Sequence, residues 1–167
     1  MNRNQVRWMI GAVALVGGQA LAASYQVVEP VAAALTAAPG ETVVVAARYD
    51  TSDANPALTG LGLRLHFTSS ALRWVGFDRL LPDGLVAADA QPVADTADYD
   101  GDPATDAYVA VAWVSVVGQW PAAVPTDLLA ARFEVVGPTP SRVNFSASST
   151  ASGYTFQSNS AVIAVRP

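Results

Sequence analysis

The segment Leu61–Phe67, with the sequence LGLRLHF, alternates apolar and polar residues. In an extended chain successive side chains point to opposite faces. The three leucines and Phe67 would therefore lie on one face, with Gly62, Arg64 and His66 on the other. This pattern predicts a β-strand that buries one face.

Similar runs rich in β-branched and aromatic residues recur along the chain, separated by Pro, Gly, Asp, Asn or Ser. Many short strands at regular spacing are typical of an antiparallel β-sandwich or barrel. No run favours a helix of more than one or two turns. The predicted strands beside Leu61–Phe67 are Tyr25–Val28, Glu41–Tyr49, Ala71–Phe77, Tyr108–Val114, Leu128–Val136, Arg142–Ser148 and Ala161–Val165, with a shorter one at Leu85–Ala88.

The first 22 residues have the pattern of a secretory signal peptide. Arg3 and Arg7 precede a short apolar run, Trp8–Val16, and Ala20–Ala22 supplies small residues at a cleavage site. The run is shorter than the roughly 20 apolar residues that span a bilayer. We therefore expect a secreted or cell-surface protein that does not span a membrane, with residues 23–167 forming a single domain.

The composition narrows the classes of partner. Loss of Arg3 and Arg7 would change the formal net charge from −5 to −7, and every basic residue is arginine. An acidic chain without a basic patch is a poor ligand for nucleic acid. The chain has no cysteine, so no disulfide can stabilise the domain.

The segment Asp95–Asp106 carries five aspartates in twelve residues and no basic residue. Such a cluster repels itself unless water solvates it or a cation binds it. Calcium takes about six to eight oxygen ligands in flexible geometry, which suits aspartates on a loop that contains glycine. The sequence predicts a calcium site here, and a solvated acidic loop is the alternative. The candidate ligands are Asp98, Asp100, Asp102 and Asp106, with Asp95 as a further one.

Catalytic signatures are lacking in the sequence. The only histidine, His66, lies on the outward face of its predicted strand, where neither a serine triad nor a nitrogen- or sulfur-rich zinc site is indicated. No G-x-S-x-G, H-E-x-x-H or phosphate-binding glycine loop occurs. We therefore do not expect an enzyme.

The tryptophans suggest another ligand class. Trp113 lies between apolar residues and is expected in the core, whereas Trp120 follows Gly118 and precedes Pro121 in a predicted turn. An exposed indole can stack on a sugar ring. Trp120 is thus the candidate residue for contact with a glycan.

The order of four segments resembles that of cohesin domains: Pro39–Val45, Leu61–Phe67, Ser69–Val75 and Leu128–Val135. The resemblance implies a nine-stranded jelly-roll sandwich and binding of a protein partner, since cohesins bind dockerins across a sheet face. The aspartate-rich segment is not part of the usual cohesin pattern, and no dockerin-contacting residue is carried over. The expected function is a secreted, non-catalytic, calcium-stabilised module for extracellular protein–protein interaction. The alternatives are a carbohydrate-binding module that recognises polysaccharide and a self-assembling surface or filament subunit.

Overall fold

The computed structural model describes residues 23–167, so the predicted signal peptide lies outside the described residues. This part of the chain contains fourteen strands and no helix. No helix in it is long and apolar enough to span a membrane. The strands are β1 (Ser24–Pro30), β2 (Ala34–Ala37), β3 (Thr42–Thr51), β4 (Ala57–Leu58), β5 (Gly60–Phe67), β6 (Leu72–Leu80), β7 (Leu85–Ala88), β8 (Val93–Ala94), β9 (Ala107–Val114), β10 (Trp120–Pro121), β11 (Thr126–Val135), β12 (Ser141–Ser149), β13 (Tyr154–Ser158) and β14 (Ala161–Val165).

The strands form a sandwich of two main sheets, which confirms the predicted all-β class. One sheet has five strands in the order β13-β1-β3-β11-β6. The other has seven strands, in the order β2-β14-β12-β5-β9-β7, with β8 also paired to β9. Strands β4 and β10 form a separate short ribbon. Most pairings are antiparallel, but β1 pairs with β13 and β2 pairs with β14 in parallel.

The core lies between the inner faces of the two sheets. The leucines of β5 and Phe67 are fully buried, as the alternation predicts. Phe67 packs edge-on against Phe133 of β11, with the ring centroids 5.2 Å apart, and so connects the two sheets. The outward face of β5 differs from the prediction, because His66 is also completely buried.

Trp120 is completely buried, so the prediction of an exposed indole is wrong. Strand β10 pairs with β4, and this ribbon places the ring between the sheets. Its centroid lies 4.8 Å from that of Tyr49 on β3 and 5.9 Å from that of Trp113 on β9. Trp113 is buried, as expected. The predicted turn before Trp120 does form, but it folds back and places the indole in the core.

Candidate functional site

Residues 89–106, which we call the cover segment, first follow strand β9 and, from Asp95 onward, lie over the outer face of the seven-stranded sheet. Strand β8 within it pairs with the start of β9. The backbone N–H of Asp95 then donates to the carbonyl of Asp106, which closes the segment into a loop. The outward side chains beneath it form a row over three strands, because His66 is in register with Asn144 of β12 and with Tyr108 of β9.

His66 is held by hydrogen-bonding groups on both ring nitrogens. Nδ1 lies 2.7 Å from Asp95 Oδ2, and Nε2 lies 2.7 Å from Ser146 Oγ. Asp100 Oδ1 is also near, 3.9 Å from Nδ1. One ligand atom from each of His66, Asp95 and Asp100 lies within 4.8 Å of the others.

Asn144 links Asp100 of this group to one further carboxylate, that of Asp102. Its Nδ2 donates to Asp100 Oδ2 at 2.8 Å and to Asp102 Oδ2 at 3.0 Å. The hydroxyl of Thr105 lies within hydrogen-bonding distance of both oxygens of Asp100, at 3.1 and 2.9 Å. The hydrogen bond from Asn144, followed by one from the backbone N–H of Ala104, holds the pKa of Asp102 below its usual value.

Only three of the five predicted calcium ligands therefore converge, and the other two lie apart from them and from each other. Asp95, Asp100 and Asp102 converge beneath the cover segment, around His66 and Asn144. Asp98 is exposed at a turn with a φ of 51°. Asp106 instead accepts hydrogen bonds from the backbone N–H and the hydroxyl of Ser69, at 2.6 and 2.7 Å, and so ties the segment to the turn after β5.

Cation–π contacts also hold the cover segment against the sheet. The guanidinium of Arg64, on the outer face of β5, lies 4.0 Å from the ring centroid of Tyr99 and 5.6 Å from that of Tyr108. Arg64 also donates to the carbonyl of Ala147. Because Tyr99 is exposed, a cation–π contact of this kind contributes about 0.5–1 kcal/mol. Arg64 therefore helps to hold the segment over the sheet.

Sequence reasoning missed four residues of this cluster: His66, Thr105, Asn144 and Ser146. The sequence gives only a weak indication that these residues belong together. His66 is a polar residue in mid-strand, and Asn144 and Ser146 occupy the outward positions of the predicted strand Arg142–Ser148. Only strand pairing, which local sequence does not specify, brings these positions together under an aspartate-rich loop.

Ser146, His66 and Asp95 are hydrogen-bonded in the order of a serine-protease triad. A triad also needs a nucleophile that a substrate can reach and donors for an oxyanion. Here Ser146 is partly buried and the imidazole is completely buried beneath the cover segment. The arrangement fixes the ring in one orientation and can hold a proton or a cation at Nδ1.

The outer face of the five-stranded sheet, which we call the open face, has a different character. Val44 and Val75 are exposed on it, among charged side chains that pair across strands. Asp127 accepts from both Arg48 and Arg79 at 3.1 Å. Two further pairs join Arg132 to Asp78 and Arg73 to Glu134. Four of the seven arginines after residue 22 thus lie on or beside this face.

No family model and no curated protein matches the chain. Solved cohesins do match its structure. One is the third ScaC cohesin of Acetivibrio cellulolyticus, in complex with the ScaB dockerin, with a TM-score of 0.58 at 10% sequence identity. The match covers 85% of this chain and 99% of the ScaC cohesin chain. Another is the third ScaB cohesin of R. flavefaciens, in complex with a group 1 dockerin, with a TM-score of 0.53 at 14% sequence identity. The match covers 89% of this chain and 99% of that cohesin chain. The seventh ScaB type I cohesin of Pseudobacteroides cellulosolvens has a TM-score of 0.54 at 10% identity, with coverage of 85% and 92%.

The chain has a cohesin-like fold. At this level of identity the likeness concerns the architecture alone. The cover segment occupies the outer face of the seven-stranded sheet and buries polar side chains of that face, such as His66 and Asn144. On the outer face of the five-stranded sheet, Val44 and Val75 are exposed to solvent. The two outer faces are therefore not equivalent as binding surfaces.

Proposed function

We propose that the chain is a secreted, non-catalytic module that binds a protein partner outside the cytoplasm. The open face on a cohesin-like sandwich is the observation that carries this proposal. Two of the solved cohesins similar to it are seen in complex with dockerins. The predicted signal peptide in residues 1–22 supports the extracellular location.

The composition of the open face supports its use as an interface. Arginine is enriched at protein interfaces and lysine is depleted. The arginines here have their guanidinium groups fixed by acidic neighbours, such as Asp127 between Arg48 and Arg79. Fixed side chains lose less conformational entropy when a partner binds. Exposed Val44 and Val75 add apolar surface between the charged pairs.

Capture of a partner from the culture medium of the source organism tests the proposal, with two valine variants as a matched pair. Val44 on the open face and Val162 on the other sheet are exposed to a similar extent, 44% and 46%. We expect Val44→Glu to abolish capture of a protein that the wild type and Val162→Glu both retain. Equal capture by the two variants, or no capture by the wild type, would contradict the proposal.

We further propose that a divalent cation orders the cover segment. Calcium is the ion favoured by a ligand set that consists only of aspartate oxygens. Support comes from the convergence of Asp95, Asp100 and Asp102. An ion that binds only the folded chain raises its melting temperature. We expect millimolar calcium to stabilise the wild type against chelator and to have little effect on Asp100→Asn. The exposed Asp83→Asn is the charge-matched control, and identical melts with and without calcium would remove this part of the proposal.

Self-assembly is a second candidate, favoured by the edge strand β7. Leu85 and Val86 on this edge are exposed, as are Val116 and Val117 in the turn between β9 and β10. Unprotected apolar edges can pair with another chain. Concentration-dependent light scattering that is suppressed in Leu85→Lys would support assembly, and a monomer at all concentrations would exclude it. The glycan alternative loses its main candidate residue, because Trp120 is buried.

A further inference from the structure

The carboxylates of Asp95 and Asp100 are buried with too little positive charge around them. The side chain of Asp95 has no exposed surface and that of Asp100 is 3% exposed. Within residues 23–167, His66 is the only basic side chain within 4 Å of either carboxylate. Even a protonated imidazole would leave one negative charge uncompensated, and a neutral one would leave two. Buried charges are costly unless they are paired or bind a metal ion.

The three groups present their donor atoms at the spacing of a metal site. Zinc–nitrogen and zinc–oxygen bonds of about 2.0–2.2 Å place neighbouring ligand atoms of a tetrahedron about 3.3–3.6 Å apart. His66 Nδ1 lies 2.7 Å from Asp95 Oδ2 and 3.9 Å from Asp100 Oδ1, on either side of that spacing. Small side-chain shifts would bring both distances to the expected value.

The surroundings of the three groups are also those of a metal centre. A metal-bound histidine almost always has its other ring nitrogen hydrogen-bonded to an oxygen, which fixes the tautomer. Nε2 of His66 has such a partner in Ser146 Oγ. The carboxylate of Asp100 is oriented by Thr105 and Asn144. These contacts leave Nδ1 of His66 directed at the two buried carboxylates.

We propose that His66 Nδ1, Asp95 and Asp100 form a mononuclear site for a divalent transition-metal ion of the zinc class. The inference rests on the proposal that a cation orders the cover segment, but it assigns a different ligand set and a different ion. Calcium takes oxygen ligands, whereas an imidazole nitrogen beside carboxylates favours zinc and its neighbours. Asp98 and Asp106 have no part in this site, since they lie elsewhere.

Nuclear magnetic resonance of the imidazole provides a direct test, because His66 is the only histidine in the chain. The protein is prepared without a histidine tag, freed of metal and titrated with zinc chloride. We expect the single set of ring signals to be replaced by a new set at one equivalent of zinc. Competition with a chromogenic chelator measures the affinity. We expect Asp95→Asn and Asp100→Asn each to weaken zinc binding by about tenfold or more.

Asp98→Asn is the control variant, since it removes the same charge from an exposed position of the same segment, and it should bind zinc as the wild type does. Ring signals that do not respond to one equivalent of zinc would overturn the inference, whether or not zinc binds elsewhere. If calcium raises the melting temperature while zinc leaves the ring signals unchanged, the zinc site is overturned and the calcium proposal stands. His66 would then be only the buried hydrogen-bond partner of Asp95.

Discussion

The indole of Trp120 lies between Tyr49 of β3 and Trp113 of β9, so it contacts both sheets of the sandwich. Replacing a buried tryptophan by alanine removes its contacts and leaves a cavity, which costs about 3–5 kcal/mol. We expect Trp120→Ala to lower the free energy of unfolding by that amount in urea denaturation. Val116→Ala, at a highly exposed position, is the control and should change it by less than about 0.5 kcal/mol. A small effect of Trp120→Ala would contradict the buried position.

The hydrogen-bonded Ser146, His66 and Asp95 can be tested for serine-hydrolase chemistry. Because His66 is completely buried, we expect Ser146 not to react with a fluorophosphonate probe that labels an added serine hydrolase in the same sample. Ser146→Ala should instead lower stability by about 1–3 kcal/mol, since it leaves a buried ring nitrogen without its partner. Labelling that disappears in Ser146→Ala would show that the chain is catalytic.

At the scale of elements, Gly60 determines how closely β5 can approach β9. Its φ is 127°, and an added Cβ would lie 2.0 Å from the carbonyl oxygen of Trp113. Gly60→Ala must therefore displace backbone, and we expect a loss of more than about 2 kcal/mol in chemical denaturation. Gly40 has a φ of 85° with open space around it. Gly40→Ala should cost only the conformational penalty of about 1–2 kcal/mol, and equal losses would contradict this difference in packing.

Strand β13 is tied to the turn after β3 by a titratable pair. The Tyr154 hydroxyl donates to Asp53 Oδ2 at 2.6 Å and lowers the pKa of that carboxyl below its usual value. The pair therefore adds stability above the ordinary aspartate pKa of 3.8, and this is lost as the pH falls through the lowered pKa. In Tyr154→Phe we expect the pKa of Asp53 to rise toward that value in a carbon-detected titration. Glu41, whose partners are Ala38 and Arg166, is the internal control; an unchanged Asp53 titration would contradict the assignment.

The elements that sequence predicted and those that it missed differ in a physical way. Strand β5 was predictable because its alternation is a local property, and its inner face is buried as expected. Strands β2 and β13 were missed because they are only four and five residues long and depend on parallel partners distant in sequence. The burial of His66 and the convergence of Asp95 with Asp100 depend likewise on where the cover segment folds back.

The whole molecule is assembled from pairings that are distant in sequence. Strand β1 pairs with β13, and β2 pairs with β14, which joins the two ends of the described chain. Because such contacts must close long loops before they stabilise the chain, sandwiches of this kind fold in milliseconds to seconds. We expect stopped-flow refolding of Trp fluorescence in that range. Completion in microseconds would show that local contacts dominate.

The same pairing of end strands has a mechanical consequence. In the parallel pair β2–β14, Ala34 faces Val162 and Ala37 faces Val165, so both strands run in one direction. Tension applied through the preceding β1 and through Val165 pulls the two strands from opposite ends. The hydrogen bonds between them are then loaded together in shear, and cannot open one after another as in a zipper. A domain of this kind held at both ends would thus resist stretching through the four-residue edge strand β2.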